Sequence, residues 1–432
     1  MDSVAIAILL ITFFGLIIVK CPITFAMVIS TSFSMLYLDI PVMTMAQQMC
    51  KQLNSFTLLA IPFFILMGEL MSAGGISNRL LKFANMCVGR MTGGLAHVNV
   101  LASMLFGGIS GSAIADVSSL GVLEIPMMTE AGYKKEFAAA VTVASSCQGL
   151  IIPPSHNMVL YAMVAGGVSV GKLFCAGYIP GVLLGVSLMI CCYFISKKNQ
   201  YGKGEKVSFK EALDVTKDTV LAMLAMVIVI AGVSAGIFTT TESAAIACLY
   251  CAVIGLFVYR EMKLKDIPAI LGKTVKTLAM IYGLIAAAGA FGWMMTYLQI
   301  PRLATNLLLG VSENKYVILL LINIILLVMG CFMDLAPLVL IMAPILLPVV
   351  KSFGMDPVQF GVMMMLNLGI GLCTPPVGSA LFVGCAIGKT PIERTAKNMM
   401  PLYLVMIAVL LLVTYVPDTA LLLPRMMMGY GA

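Results

Sequence analysis

Four short stretches interrupt otherwise apolar segments of this 432-residue chain, and they hold the residues best suited to bind a ligand. They are Gly107-Gly-Ile-Ser-Gly-Ser-Ala-Ile-Ala-Asp116, Gly149-Leu-Ile-Ile-Pro-Pro-Ser-His-Asn157, Gly330-Cys-Phe-Met-Asp-Leu-Ala-Pro337 and Gly371-Leu-Cys-Thr-Pro-Pro-Val-Gly-Ser379. Proline lacks a backbone donor and collides with the preceding turn, so a Pro-Pro pair inside an apolar span unwinds it. Carbonyls freed within hydrocarbon need another partner. A bound cation supplies one, and sodium prefers such hard oxygen ligands. Beyond each break a new half-helix begins, and its free N–H groups and partial positive charge attract a carboxylate. The expected chemistry is therefore binding, with oxygens for a cation and amides for an anion.

Within these stretches Asp334 stands out, because an acid in an apolar run faces a partner or a cavity. It reads as an ion or substrate contact, with a helix cap as the structural alternative. Ser110 and Ser112 flank Gly111 at the first turn, where hydroxyl ligation competes with simple small-residue packing; Gly107 and Gly111 form a GxxxG. His156 lies inside the first break, between Ser155 and Asn157. Arg302 precedes the second turn and reads equally as an anion contact or as a helix-end residue like Arg79. His97 reads as interfacial. Glu69, Asp116, Glu124 and Glu242 read as interfacial caps or intramembrane pairs. Gly177, Gly181 and Gly185 read as a packing face, and Cys248 with Cys251 as packing within a helix. No His/Cys/carboxylate cluster has metal-ligand spacing, so no metal beyond sodium and no cofactor is expected.

The elements that position these stretches come in two copies. Adding 222 to the residue number pairs Gly108 with Gly330, Pro126 with Pro348, Gly132 with Gly354, Gly149 with Gly371, Pro153 with Pro375, Pro154 with Pro376 and Gly166 with Gly388. Paired interruptions in corresponding hydrophobic segments point to a transport site. The first copy, residues 1–200, reads as spans near 3–19, 22–38 and 53–72, a hairpin at about 95–128, a broken span at 136–165 and a last span at 174–196. The polar stretch 201–218 links it to the second copy, residues 219–432. There the spans fall near 219–237, 242–259 and 274–298, the hairpin at about 315–350, the broken span at 358–388 and the last span at 399–423. A crossing helix needs about 20 residues. The hairpin arms fall short of that or barely reach it, so they are expected to dip in and return. Five crossings per copy then require the second copy to be inverted. This layout puts 20 of the 26 Lys and Arg residues on one side, which should be cytoplasmic. Both termini then face outward, and the first segment is expected to be retained.

Composition narrows the function. The chain is 61% hydrophobic and 10% charged, against about 25% charged in soluble proteins. The apolar runs are continuous rather than alternating, which argues for a polytopic all-α protein and against a β-barrel. The net charge of +7 comes from short loops between spans, so nucleic acid is not the partner. Gly166-Gly-Val-Ser-Val-Gly-Lys-Leu173 is a near miss for a phosphate loop, with Leu where Ser or Thr is required and no preceding strand. Asp116 and Asp334 lack the flanking glycines of an intramembrane aspartyl pair, and no His-Glu-x-x-His helix occurs, so no catalytic residue is expected. A channel is the remaining alternative, although mid-span breaks suit occlusion and alternating access better.

At these motifs the chain resembles the large membrane subunit of tripartite ATP-independent periplasmic (TRAP) transporters. The resemblance rests on Phe56-Thr-Leu-Leu-Ala-Ile-Pro-Phe-Phe-Ile-Leu-Met-Gly-Glu69, Gly107–Asp116 with Gly121, Ile152-Pro-Pro-Ser155, Gly330–Asp334, Phe360-Gly361 and Thr374-Pro-Pro-Val-Gly378. It spans nearly the whole chain. It implies sodium-coupled uptake of an organic acid into a bacterial cell through the inner membrane, a periplasmic binding protein that delivers the acid, and a small four-helix membrane subunit. It also implies an elevator-type fold, in which the part bearing both hairpins slides against a scaffold. Many members continue Pro-Pro-Ser with Ile, whereas Pro-Pro-Ser155-His156-Asn157 looks like the sialic-acid branch; a C4-dicarboxylate or another carboxylate is the alternative. The small subunit is expected as a separate polypeptide. On this reading Ser110, Gly111, Ser112, Gly149 and Pro153 form one sodium site, and Met333, Asp334, Gly371, Thr374 and Pro375 a second. The acid is expected between them, near Ser155, His156, Asn157, Ser379, Asp334 and Arg302.

Overall fold

A computed structural model describes residues 2–202, 204, 209–234 and 236–430. Its described residues form helices and no strand. The first half runs α1 (Ser3–Ile18), α2 (Ile23–Tyr37), α3 (Val42–Leu53), α4 (Ala60–Ala73), α5 (Ile76–Val88), α6 (Gly94–Ser110), α7 (Ala113–Ser119), α8 (Gly121–Glu130), α9 (Lys135–Ser146), α10 (Gln148–Ile151), α11 (His156–Ala165) and α12 (Val170–Asn199). The second half runs α13 (Phe209–Ser234), α14 (Thr240–Val253), α15 (Ile267–Tyr297), α16 (Ile300–Val311), α17 (Lys315–Phe332), α18 (Leu335–Ser352), α19 (Pro357–Leu372), α20 (Ser379–Gly388), α21 (Ile392–Tyr415) and α22 (Asp418–Met428).

Two packing groups emerge. Helices α1–α4 pack with α13–α15, and α6–α12 pack with α17–α22. At the centre of the second group lie the two broken helices. Every residue of α9 from Phe137 to Ser146 and of α19 from Val358 to Leu372 is buried. A helix apolar on all sides belongs inside a bundle, and the small residues of α9 let its neighbours come close. Several polar side chains in this interior pair across helices. Asn99 Nδ2 donates to Thr142 Oγ1 at 2.6 Å, and Ser145 Oγ donates to Asn99 Oδ1 at 2.9 Å. In the second half Asn367 Nδ2 donates to Asn323 Oδ1 at 2.8 Å, and Asn323 Nδ2 to Thr414 Oγ1 at 3.1 Å. Interhelical hydrogen bonds of this kind contribute roughly 0.6 kcal/mol each in a membrane interior. They also fix which faces meet.

The arrangement differs from the sequence reading in three ways. Helices α3, α5 and α16 are amphipathic segments that a search for apolar runs passes over. α5 touches both α6 and α13, and α16 touches both α18 and α15, so each bridges the two packing groups. The counterpart of α3 in the second half is fused with the following span into the 31-residue α15. Among the described residues eight helices qualify by length and apolarity as membrane spans, or nine if Lys135–Ile151 and His156–Ala165, bent by 47°, count as one. The hairpin arms α17 and α18, 18 residues each, are among the eight, whereas α1 and α2, with 16 and 15 residues, are not.

Candidate functional site at the two double-proline breaks

Both double-proline pairs interrupt their helices. Residues Ile152–Ser155 separate α10 from α11, and Cys373–Gly378 separate α19 from α20. The Pro153–Pro154 and Pro375–Pro376 peptide bonds are both cis.

Each break is held against a hairpin tip by backbone contact. A Cβ on Gly107 would stand 2.4 Å from the Cα of Gly149, and one on Gly371 would stand 2.6 Å from the carbonyl carbon of Gly330. Only glycine permits this approach. At the first tip Gly111 takes a left-handed conformation with φ +60° between α6 and α7. A Cβ there would meet His156 Nδ1 at 3.0 Å and Ser155 Cα at 3.3 Å. Asn157 Nδ2 donates to the Gly111 carbonyl at 2.9 Å. At the second tip the Cys331 carbonyl accepts from the Val377 and Gly378 amides at 3.2 and 3.3 Å.

The half-helices beyond the breaks begin without a side-chain cap. Ser155 precedes α11 and Gly378 precedes α20, and neither supplies a capping bond. Among the described residues the hydroxyls of Ser155 and Ser379 are buried without a hydrogen-bond partner. Two uncapped N-termini, each with an unpartnered hydroxyl, offer donors to an anion.

Of the first expected sodium set, Gly149 packs on Gly107, Gly111 lies beside Ser155 and His156, and the Pro153 carbonyl is 2.7 Å from the Cβ position of Gly108. Ser112 caps α7, its Oγ accepting from the Ala115 amide at 3.4 Å. The side chain of Ser110 lies outside the described residues. In the second set Gly371 meets Gly330, while Thr374 Oγ1 donates back to the Ile370 carbonyl at 2.7 Å. Asp334 caps α18, its Oδ1 accepting from the Leu335 amide at 3.0 Å, and it is exposed; Met333 beside it is buried. Arg302 is exposed near the start of α16, and among the described residues no ion pair joins it to Asp334. Its counterpart Arg79 pairs with Glu261 at 2.7 Å.

His97 is fully buried, with Nε2 3.2 Å from the Thr92 carbonyl. Asp116 and Glu124 are also fully buried, Asp116 beside Ser103, and neither carboxylate oxygen of Glu124 has a partner among the described residues. Glu242 is a cap, forming a capping box with Thr239. Three features escaped the sequence reading: the Cys331 carbonyl, the glycine–glycine crossings and the asparagines Asn99, Asn323 and Asn367. An amide side chain inside an apolar run was the available signal for the last group.

A helical chain with many apolar spans, two of them unwound against hairpin tips, has the build of a membrane permease rather than an enzyme. Comparison with known proteins agrees. Residues 10–419 match the family described as the tripartite ATP-independent periplasmic transporter, DctM component. The chain is 41% identical to the sialic acid TRAP transporter large permease protein SiaM of Vibrio cholerae, over 96% of this chain and 98% of that one. It is 40% identical to the C4-dicarboxylate TRAP transporter large permease protein DctM of Pseudomonas aeruginosa, over 89% and 90%. Its fold is similar to that of the YdaH transporter of Alcanivorax borkumensis, with a TM-score of 0.63 at 15% identity over 92% of this chain and 90% of that one. The chain belongs to the DctM family of TRAP transporter large permeases.

Proposed function

We propose that this subunit imports a small organic acid together with sodium through the bacterial inner membrane. A periplasmic binding protein delivers the acid, and a small membrane subunit completes the permease. The observation that carries this reading is the pair of uncapped half-helix N-termini, each with a buried unpartnered serine hydroxyl, Ser155 and Ser379, beside a break held to a hairpin tip. Amides and hydroxyls suit the carboxylate, and the carbonyls of the unwound segments Ile152–Ser155 and Cys373–Gly378 suit sodium. Asp334 and Thr374 add oxygens to the second cation site.

The two halves are read as inverted repeats, with both termini on the periplasmic side and the first hairpin entering from the cytoplasm. The packing of α1–α4 with α13–α15, and of α6–α12 with α17–α22, supports an elevator movement. In it, α5 and α16 connect the scaffold to the part that slides. Sialic acid is the first substrate to test, because of Ser155-His156-Asn157 and the likeness to SiaM. A C4-dicarboxylate is the second reading, favoured by the similar identity to DctM.

Uptake into proteoliposomes containing this chain, its small subunit and its binding protein tests the proposal. Labelled acids are scanned with and without an inward sodium gradient. Saturable uptake of one acid that requires sodium is expected. Uptake that ignores sodium, or flux that fails to saturate, would overturn it.

A further inference from the structure

We propose that a cleft between α5 and α13 binds the head group of a zwitterionic phospholipid. The cleft has a volume of about 790 Å³ and is lined by Asn78, Arg79, Lys82 and Asn85 of α5, by Lys210, Asp214 and Asp218 of α13, and by Glu261. It lies away from both double-proline breaks.

Its position is that of a membrane boundary, since the apolar span of α13 begins at Ala212. Among the described lining residues, three cations face three carboxylates. An anionic head group would meet the acids unfavourably and a purely cationic one the bases. A phosphate joined to an ammonium matches both, the phosphate toward Lys82 and Lys210 and the ammonium toward Asp214 and Asp218. Arg79 is already committed, pairing with Glu261 at 2.7 Å and stacking 3.6 Å from the Tyr259 ring centroid. It shapes the floor and leaves the lysines to the ligand. Lys82, Lys210, Asp214 and Asp218 are exposed.

A soluble phosphoester would share that head-group chemistry, but the neighbouring surface favours a lipid. Past the cleft, α13 carries Val220, Leu221, Leu224 and Val227, exposed by 48, 38, 41 and 53%. This is apolar surface within the span that begins at Ala212, next to the charged end. Because α5 bridges the two packing groups, a lipid seated here would brace the connection between them.

The test uses the detergent-purified protein, with any subunit that co-purifies, and native mass spectrometry during titration with dioleoyl-phosphatidylethanolamine or dioleoyl-phosphatidylglycerol. The wild type is expected to retain the ethanolamine lipid preferentially. Lys82→Ala with Lys210→Ala should weaken that binding by roughly tenfold or more. Asp214→Asn with Asp218→Asn should erase the preference between the two lipids. All four side chains are exposed, so folding is not at stake. Equal retention of both lipids by the wild type and both variants would mean non-specific annular lipid and overturn the proposal. Full competition by glycerophosphoethanolamine at equal concentration would overturn it in favour of a soluble phosphoester, and a co-purifying protein that covers Lys82 would do so in favour of a protein contact.

Discussion

Cys147 Sγ lies 3.0 Å from the carbonyl oxygen of Gly369, the residue 222 positions further along the chain. The spacing of this contact equals the repeat distance read from the glycines and prolines. Beside it, Cys373 Sγ donates to the Val143 carbonyl at 3.2 Å, and the sulfurs of Cys147 and Cys373 are 3.3 Å apart. These contacts bring the Cys147 and Cys373 ends of the two broken helices together.

The glycine crossings give the most local prediction. Gly107→Ala and Gly371→Ala each force a methyl group into an opposing backbone, which should cost about 1–3 kcal/mol. Both variants should lose thermal stability and uptake. Gly283→Ala in α15 is the control, because nothing lies within 4 Å of its Cβ position. Equal behaviour of all three would show that the crossings tolerate separation.

Asn157 ties the first break to the hairpin tip through the Gly111 carbonyl. Asn157→Ala should leave the complex assembled and reduce uptake roughly tenfold, as expected for a lost buried hydrogen bond worth ~1 kcal/mol or more. Uptake kinetics of the assembled variant check this. Wild-type kinetics would make Asn157 a packing residue.

Asp334 and Arg302 separate ligand contact from helix-end roles. Asp334→Ala should abolish sodium-driven uptake with the fold intact, and Arg302→Ala should weaken it without loss of assembly. Normal transport by the first variant would remove Asp334 from the site. Unchanged kinetics in the second would leave Arg302 a structural residue, as Arg79 is in its pair with Glu261.

Outside the spans, Tyr430 donates to Asp356 at 3.0 Å and fastens the C-terminal segment to the start of α19. Burial and the nearby Asp356 carboxylate push its phenol up to about 12. A raised pKa means the folded state holds the proton more tightly. The contribution is therefore complete below the unfolded value of about 10 and fades as pH rises from there toward 12. Tyr430→Phe should lower stability by about 1 kcal/mol at neutral pH, with the difference from wild type shrinking above pH 10. A thermal melt series in buffers on either side of that range measures it.

Much of this architecture was legible because membrane chemistry leaves few choices. Long apolar runs become helices, and paired prolines break them, so α9–α11 and α19–α20 fell where Pro153–Pro154 and Pro375–Pro376 put them. The amphipathic α3, α5 and α16 escaped a reading tuned to continuous apolarity, although Ile76, Leu80, Ala84 and Val88 recur at helical spacing in α5. Full burial of His97, Asp116 and Glu124 was not legible either. It depends on which helices cover the first hairpin, and local sequence does not encode that. The glycines were visible as breakers, but their partners across the bundle were not.

The central claim is that the two breaks hold sodium, and binding shows in stability, because a ligand specific to the folded state raises its melting temperature. Purified complex melted across a series of NaCl concentrations, with choline chloride holding ionic strength constant, measures this directly. A sodium-specific rise is predicted for the wild type, reduced in Asp334→Asn, which keeps the α18 cap and removes the charge, and in Thr374→Val. Identical melting in sodium and choline would contradict the account.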